Sequence, residues 1–460
     1  MTSRDVALAF AFALGVRLCA HVLALLATTS GWRYDTSVAL DARVRSRANA
    51  NERMIERGVS HDIGTRATSC EAHVWMNAWD GVHFLALSAN GGAYAFEHAH
   101  AFFPGLAYGI RSSSVIARAL MRLVRVNDDV DEMCAHAMAA CAFSTVAFAT
   151  ARVALESSAK RVMKDGTIAK AAGMLFALNP ANVFYGIAYT ESAFSAASFA
   201  GFVALADGWT TASGVAFGVA SAFRSNGILH AIPVVAVAGA RAIDKVRQGK
   251  TRDAVLEVAR GGIACGMIFT PYVAFSAYGD ALYCRNPAFA ANPRPWCVNS
   301  ISNAYGLLPK TMYGFLQRHY WGLGFLSSYT TRNAGNVALG APAMFIGAMC
   351  TWRYFMPQIH TLGRKPADER AGAYARHQKP LPTRALEFAA YAELAVGVFV
   401  AATYAHAQVA TRFLSTFPAM YWSLAEIGAR NSRARNAITA YYLAYAMLGV
   451  LLVPSFYPWT

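Results

Sequence analysis

The sequence predicts an all-α polytopic membrane protein, and three observations carry that prediction. Of 460 residues, 56% are hydrophobic and only 15% charged, where a soluble domain usually carries about 25% charged residues. The apolar residues fall in long blocks, at 6–27, 132–155, 191–206, 261–278, 336–351, 388–407 and 437–454. Several reach the roughly 20 residues that cross hydrocarbon. The polar stretches between them are too short to bury a core of their own. A single integral domain, 1–460, with roughly ten transmembrane helices follows.

The elements can be justified in order. Block 6–27 contains Arg17 and His21 and lacks a clean small-residue cleavage site after it, so it reads as a retained first span. Residues 31–102 form a first large polar loop. Within it, 71–87 read as a helix lying on the membrane surface. At about 100° per residue, Val74, Trp75, Ala78, Trp79, Val82, Leu85 and Ala86 share one face, and His73, Asn77, Asp80 and His83 the other. Met76 and Phe84 break the pattern, and Asn90-Gly91-Gly92 ends it. Between 103 and 223 two signals conflict. Lys160, Arg161 and Lys164 resemble a cytosolic loop, yet counting spans from Phe103 puts them outside. Half-spans or re-entrant segments are expected there.

The basic stretches 241–252 and 353–384 lie between apolar blocks, and the positive-inside rule assigns them to the cytosol. They account for much of the net charge of +15 as topology rather than as a nucleic-acid surface. Residues 31–102, 279–333, 406–412 and the last residues, 457–460, then lie on the far side. Cys284 and Cys297 share the outer loop 279–333, where an oxidising lumen would let them pair. No Cys-x-x-Cys pair suggests zinc.

Chemistry concentrates in the far-side loops. Asp80 is placed to take a proton from a sugar hydroxyl as it attacks an activated donor, or else is a solvated polar-face residue. Glu97, His98 and His100 follow; their spacing is a weak metal signal, and a hydrogen-bonding shell fits better. The polar runs Asn179-Pro180-Ala181-Asn182 and Tyr189-Thr190-Glu191-Ser192 interrupt an apolar region. Freed backbone is tolerated there only where it is buried in protein or lines a cavity; a plain helix end is the alternative. Glu191 also suits a helix N-terminus. Arg224-Ser225-Asn226-Gly227 interrupts a further apolar run, and Arg224 either grips a lipid-linked phosphate or snorkels from a short loop. His406, Gln408 and Arg412 are placed to hold a donor phosphate or to anchor a span at the interface. Tyr320-Trp321 offers a sugar platform or an aromatic belt. No Gly-rich phosphate loop, nucleophile elbow or His-Glu-x-x-His is present, which disfavours a nucleotide-linked donor.

Taken jointly, these motifs resemble the family of GPI mannosyltransferase II. Trp79-Asp80, His83-Phe84, Tyr94 and Glu97-His98 through Phe103-Pro104-Gly105 are similar to that family's first lumenal loop. Similar motifs follow in order at Pro180–Phe184, Tyr189–Phe194, Arg224–Gly227, Pro295-Trp296-Cys297, Tyr320–Leu326, Thr411–Leu414 and Pro458–Thr460. Gly81-Val82 and His100 depart from the family pattern. The resemblance implies a glycosyltransferase C fold in the endoplasmic reticulum membrane, with a lumenal site. It implies transfer of the second, α1,6-linked mannose from dolichyl-phosphate-mannose to a mannosylated GPI precursor, by inversion and without a metal or other cofactor. Asp80 would be the general base. His83, Glu97, His98, Asn182, Glu191, Asn226, Tyr320, Trp321 and Gln408 would line the substrates, and Arg412, with Arg224 second, would hold the donor phosphate. The expected partners are these two glycolipids and membrane lipids, with room for an accessory membrane subunit and no nucleic acid.

Three rivals remain at this level: a different dolichyl-phosphate-mannose-dependent transferase, a lipid or sugar transporter, and a noncatalytic subunit. A transporter predicts charges near mid-membrane within paired broken helices, whereas here the polar residues gather mostly in outer loops.

Overall fold

The computed structural model describes residues 1–29, 78–94, 96–123, 132–287, 293–297, 311–361, 379–457 and 459. Its regular structure is helical. The α-helices are α1 (Ser3–Thr29), α2 (Gly81–Ala89), α3 (Pro104–Leu123), α4 (Glu132–Met163), α5 (Gly166–Ala177), α6 (Glu191–Ala206), α7 (Thr210–Phe223), α8 (Ala231–Arg247), α9 (Thr251–Gly279), α10 (Met312–His319), α11 (Ala334–Thr361), α12 (Leu381–Thr403), α13 (Ala410–Leu414), α14 (Pro418–Arg430) and α15 (Ser432–Leu452). Among the described residues, seven helical stretches are long and apolar enough to cross a membrane: Ser3–Thr28, Ala135–Met163, Ser225–Arg247, Thr251–Cys284, Thr331–Pro357, Leu381–Thr403 and Ser432–Ser455.

Three shorter apolar helices, α5, α6 and α7, complete the bundle. The longest of them, α6, has 16 residues, about 24 Å at 1.5 Å per residue, short of the roughly 30 Å of hydrocarbon. They occupy the region where half-spans or re-entrant segments were expected. Helix α3 has 20 residues but is not apolar enough to count as a span. It packs on α2 and α4, with Leu106, Ala107 and Ile110 buried and Tyr108, Val115 and Ile116 exposed. Removing it from the count carries α4 across in the other direction. Arg161, near the end of α4, pairs with Asp207 at 2.7 Å. Arg241 donates to the carbonyls of Leu205 and Gly208 and to the Thr210 hydroxyl. The turns near 160–165, 206–210 and 241–252 therefore gather at one end, which the charge rule assigns to the cytosol.

The surface helix expected over 71–87 is corrected. Residues 71–77 lie outside the described residues, and the helix that is described, α2, starts only at Gly81. Trp79 adopts the left-handed region, φ 54°, which a bulky residue enters at a cost, so no regular helix runs through it. Nor is α2 a lipid-facing helix with one wet side. Val82, Phe84, Leu85, Leu87 and Ser88 are all buried, and Ser88 Oγ is 2.8 Å from His136 Nδ1 on α4. Phe84, an exception to the surface pattern, is a core residue here.

The polar interruption between α5 and α6 is a break wrapped in protein. Asn179 and Asn182 donate their side-chain amides to the carbonyls of Phe176 and Ala177, each at 2.7 Å. Ser144 and Ser192 donate to Ile187 and Tyr185 carbonyls at 2.8 and 2.6 Å. Arg17 of α1 donates to the Asn182 carbonyl at 2.6 Å. Side chains thus satisfy the backbone that the broken helix frees, as burial away from water requires.

Candidate active site

The site forms where the break before α6, the turn before α2, the start of the 3-10 turn Ser225–His230 and the short α13 meet. Tyr189 organises the Asp80 turn. Its hydroxyl donates to the Ala78 carbonyl and accepts from the Asp80 N–H, both at 3.2 Å. Burial, then the nearby Asp80 carboxylate, pushes the Tyr189 phenol well above its ordinary pKa, so it stays a donor. It clamps the strained turn from both sides and leaves the Asp80 side chain at the N-terminal end of α2, where the helix dipole favours a carboxylate.

Arg412 Nη2 donates to Asp80 Oδ2 at 2.6 Å. Its Nη1 lies 3.8 Å from Glu191 Oε1, which in turn accepts from Arg224 Nη1 at 2.5 Å. The four side chains make a chain of alternating charge, Asp80–Arg412–Glu191–Arg224. Its members differ in access: Glu191 is 1% exposed, both arginines 17% and Asp80 31%. Burial opposes the charge on Arg412, but Asp80 and Glu191 outweigh it, so its pKa lies above the ordinary arginine value. Its guanidinium also rests over the rings of Phe184 and Tyr189, 5.5 and 5.3 Å from their centroids, a favourable cation–π arrangement. Asn226 Oδ1 accepts from Arg224 Nε at 3.3 Å. Gly227 permits this turn because a side chain there would strike the Ser221 backbone at 2.6 Å.

A second cluster adjoins the first turn of α2. The His83 ring stacks on Phe102 at 4.5 Å and meets His98 edge-on at 5.8 Å. His98 lies 5.7 Å from Tyr320, which is 6.0 Å from Trp321. Glu97, which opens the 3-10 turn Glu97–Ala101, ties these pieces together. It accepts from Trp296 Nε1 and from the Tyr320 hydroxyl, each at 2.9 Å, and Arg294 Nε approaches at 3.6 Å. Trp296 is fixed beside Cys297, which is joined to Cys284 by a disulfide with Cα atoms 5.3 Å apart. Segments near 97, 296 and 320 are thus held as one unit.

His98 and His100 have different surroundings. His100 is fully buried, stacked on Tyr94 at 4.1 Å and edge-on to Tyr283 at 5.3 Å. Its Nδ1 faces the carbonyls of Phe96 and Glu97 at 3.3 and 3.2 Å. Burial lowers its pKa despite those bonds. The unfolded chain therefore binds more protons than the folded one below the ordinary histidine value, and stability rises with pH through that range. The contribution is complete above about 6.5 and is lost as pH falls from there towards the lower folded value. Thermal melting of the purified protein should show a smaller loss between pH 7.5 and 5.5 in His100→Phe than in wild type, by about 1 kcal/mol per unit of removed shift; equal losses would exclude this titration.

Several other residues singled out in the sequence are placed elsewhere. Asn182 is buried, with its amide spent on the Ala177 carbonyl. Gln408 lines a small polar cavity of about 80 Å³ with Ser328, Asn333, Asn336 and His406, not with Asp80 or Glu191. His406 Nε2 contacts the Trp321 carbonyl, so it braces the aromatic cluster. Tyr189 and Trp296 were not singled out for roles, although both stand in motifs that were noted. Nothing local in sequence marks them as hydrogen-bond partners of Asp80 and Glu97.

Fold and site define an all-helical, multi-pass membrane enzyme with a carboxylate–arginine centre beside an aromatic cluster. The chain belongs to the family Mannosyltransferase (PIG-V), whose profile matches residues 7–460; it is a glycosyltransferase. It is 26% identical to GPI mannosyltransferase 2 of Chaetomium globosum, over 96% of this chain and 93% of that protein. It is 25% identical to GPI alpha-1,6-mannosyltransferase 2 of Rattus norvegicus and to that of Homo sapiens, in each case over 84% of this chain and 87% of the relative.

Proposed function

We propose that this protein transfers an α1,6-linked mannose, the second of the glycan, from dolichyl-phosphate-mannose to a GPI precursor, on the lumenal side of the endoplasmic reticulum membrane. The observation that carries the reading is the Asp80–Arg412–Glu191–Arg224 chain. It offers a carboxylate to the acceptor and two guanidinium groups to an anionic donor in one place. The names of the relatives support the GPI acceptor and, for the mammalian ones, the linkage.

In this scheme the donor phosphate competes with Asp80 for Arg412. A forked guanidinium binds phosphate in two places at once, and moving Arg412 to the phosphate frees Asp80. Asp80 then takes the proton of the acceptor hydroxyl as its oxygen bonds to the anomeric carbon. The bond from that carbon to the phosphate oxygen breaks on the opposite face, and dolichyl phosphate leaves with the electron pair. Arg412 stabilises its growing charge, while Arg224 holds the bound phosphate. One displacement inverts the β-linked donor into an α product. The cluster of His83, His98, Tyr320 and Trp321 holds the acceptor sugar, through ring faces against its C–H surface.

Complementation tests the reading. Cells lacking the second GPI mannose should accumulate a one-mannose intermediate, and expression of this chain should clear it. Clearance of a different intermediate, or none, would point to another mannosyltransferase or to a noncatalytic subunit.

A further inference from the structure

Below the site, three buried polar side chains converge from three helical segments. His230 Nε2 is 2.7 Å from Ser198 Oγ on α6. Its Nδ1 is 2.7 Å from Glu393 Oε1 on α12, a close contact rather than a linear hydrogen bond. His230 and Glu393 are 3% and 1% exposed, and Ser198 is fully buried. The order Ser–His–Glu matches the constellation of a hydrolase triad, but the hydroxyl is sealed from any substrate, so nucleophilic catalysis is excluded. Ionisable groups within a membrane bundle are costly and call for a purpose.

Their surroundings supply one. The His230 ring stacks on Phe217 at 4.4 Å and on Phe194 at 5.7 Å. The Arg224 guanidinium lies over that same Phe194 ring, 5.7 Å from its centroid. His230 closes the 3-10 turn Ser225–His230 that Arg224 caps, while Ser198 sits two turns along α6 from Glu191. The contacts of His230 therefore fix both members of the Arg224–Glu191 pair, one through its own turn and Phe194, the other through α6.

We propose that Ser198, His230 and Glu393 form a buried positioning triad that holds Arg224 in register for the anionic donor. This rests on the proposed role of Arg224 in binding the donor phosphate. The imidazole sets Nδ1 against the Glu393 carboxylate and Nε2 against the Ser198 hydroxyl, so that it bridges α12 and α6. A glutamine amide can do the same, donating with its nitrogen and accepting with its oxygen.

Kinetics in membranes, with dolichyl-phosphate-mannose and acceptor varied separately, tests this. His230→Leu should raise the donor KM about tenfold with the acceptor KM and kcat within about threefold, because it disturbs binding rather than chemistry. His230→Gln should restore the donor KM to within about threefold of wild type. Ser198→Ala removes one hydroxyl only, and should raise the donor KM about threefold even if His230→Leu fails to accumulate. An unchanged donor KM in Ser198→Ala and His230→Leu, equal changes in both substrates, or no recovery in His230→Gln would overturn the triad. Arg224→Ala separates the two levels. An unchanged donor KM there removes Arg224 from donor binding, and the triad's role with it. A raised donor KM there with unaffected triad variants sinks the triad alone.

Discussion

Asp80→Asn should abolish most mannosyl transfer while the protein accumulates normally in the membrane. The substitution is nearly isosteric. The amide oxygen still accepts from Arg412, and the backbone bonds between Tyr189 and the Asp80 turn do not involve the side chain. What disappears is the proton acceptor. A positioned general base contributes about 10² to 10⁴ in rate, so kcat should fall by at least a hundredfold. Transfer measured in membranes, normalised to protein amount, checks this. Rescue of GPI-deficient cells at wild-type efficiency by the variant would remove Asp80 from catalysis and favour a noncatalytic role. The change is far smaller if Asp80 serves only to neutralise Arg412, since Glu191 remains beside that guanidinium at 3.8 Å.

Much of the helical bundle was legible because hydrocarbon imposes a length and a composition on each span. The basic stretch 241–252 was also legible through the charge rule, whereas 160–164 stood between two conflicting signals. That conflict came from α3. It has the length of a span but carries Arg111, Arg118 and Arg122 together with three consecutive serines, and counting it as a crossing reversed what followed. The Asp80 turn failed differently. Helical periodicity over 71–87 presumes a regular backbone, and the left-handed Trp79 leaves no mark in the residue pattern. Asp80 is accessible because it precedes α2, not because it lies on that helix's wet face. Pairings such as Asp80 with Arg412, 332 residues apart, have no local signal at all. Each residue is visible as a polar interruption, but only the packed helices decide which interruptions meet. Asn182 illustrates the cost of that ambiguity: an amide in a broken helix serves either a ligand or the freed backbone, and here it serves the Ala177 carbonyl.

Arg412→Ala should be the second severe variant, and its effect should fall on the donor. Loss of one donor group aimed at developing charge costs about 10² to 10³ in kcat, and loss of the ground-state phosphate contact should raise the donor KM as well. Arg412→Lys should recover only a small part, because an ammonium cannot bind the phosphate in two places at once as the planar fork of a guanidinium does. The difficulty is that Arg412 touches Asp80, so lost activity alone does not say whether it acts on the donor or merely orients the base. Combining the changes resolves this. In an Asp80→Asn background no base remains to be oriented, yet dolichyl phosphate or a non-transferable donor analogue can still bind. If Arg412 holds the phosphate, adding Arg412→Ala should weaken that binding about tenfold or more, in line with the loss of a charge-assisted hydrogen bond. Unchanged analogue binding would confine Arg412 to Asp80 and leave Arg224 as the donor's cation. Competition between phosphate and carboxylate makes one more demand. Asp80→Asn alone should bind the analogue more tightly than wild type, because a neutral amide gives up Arg412 more readily than a carboxylate does.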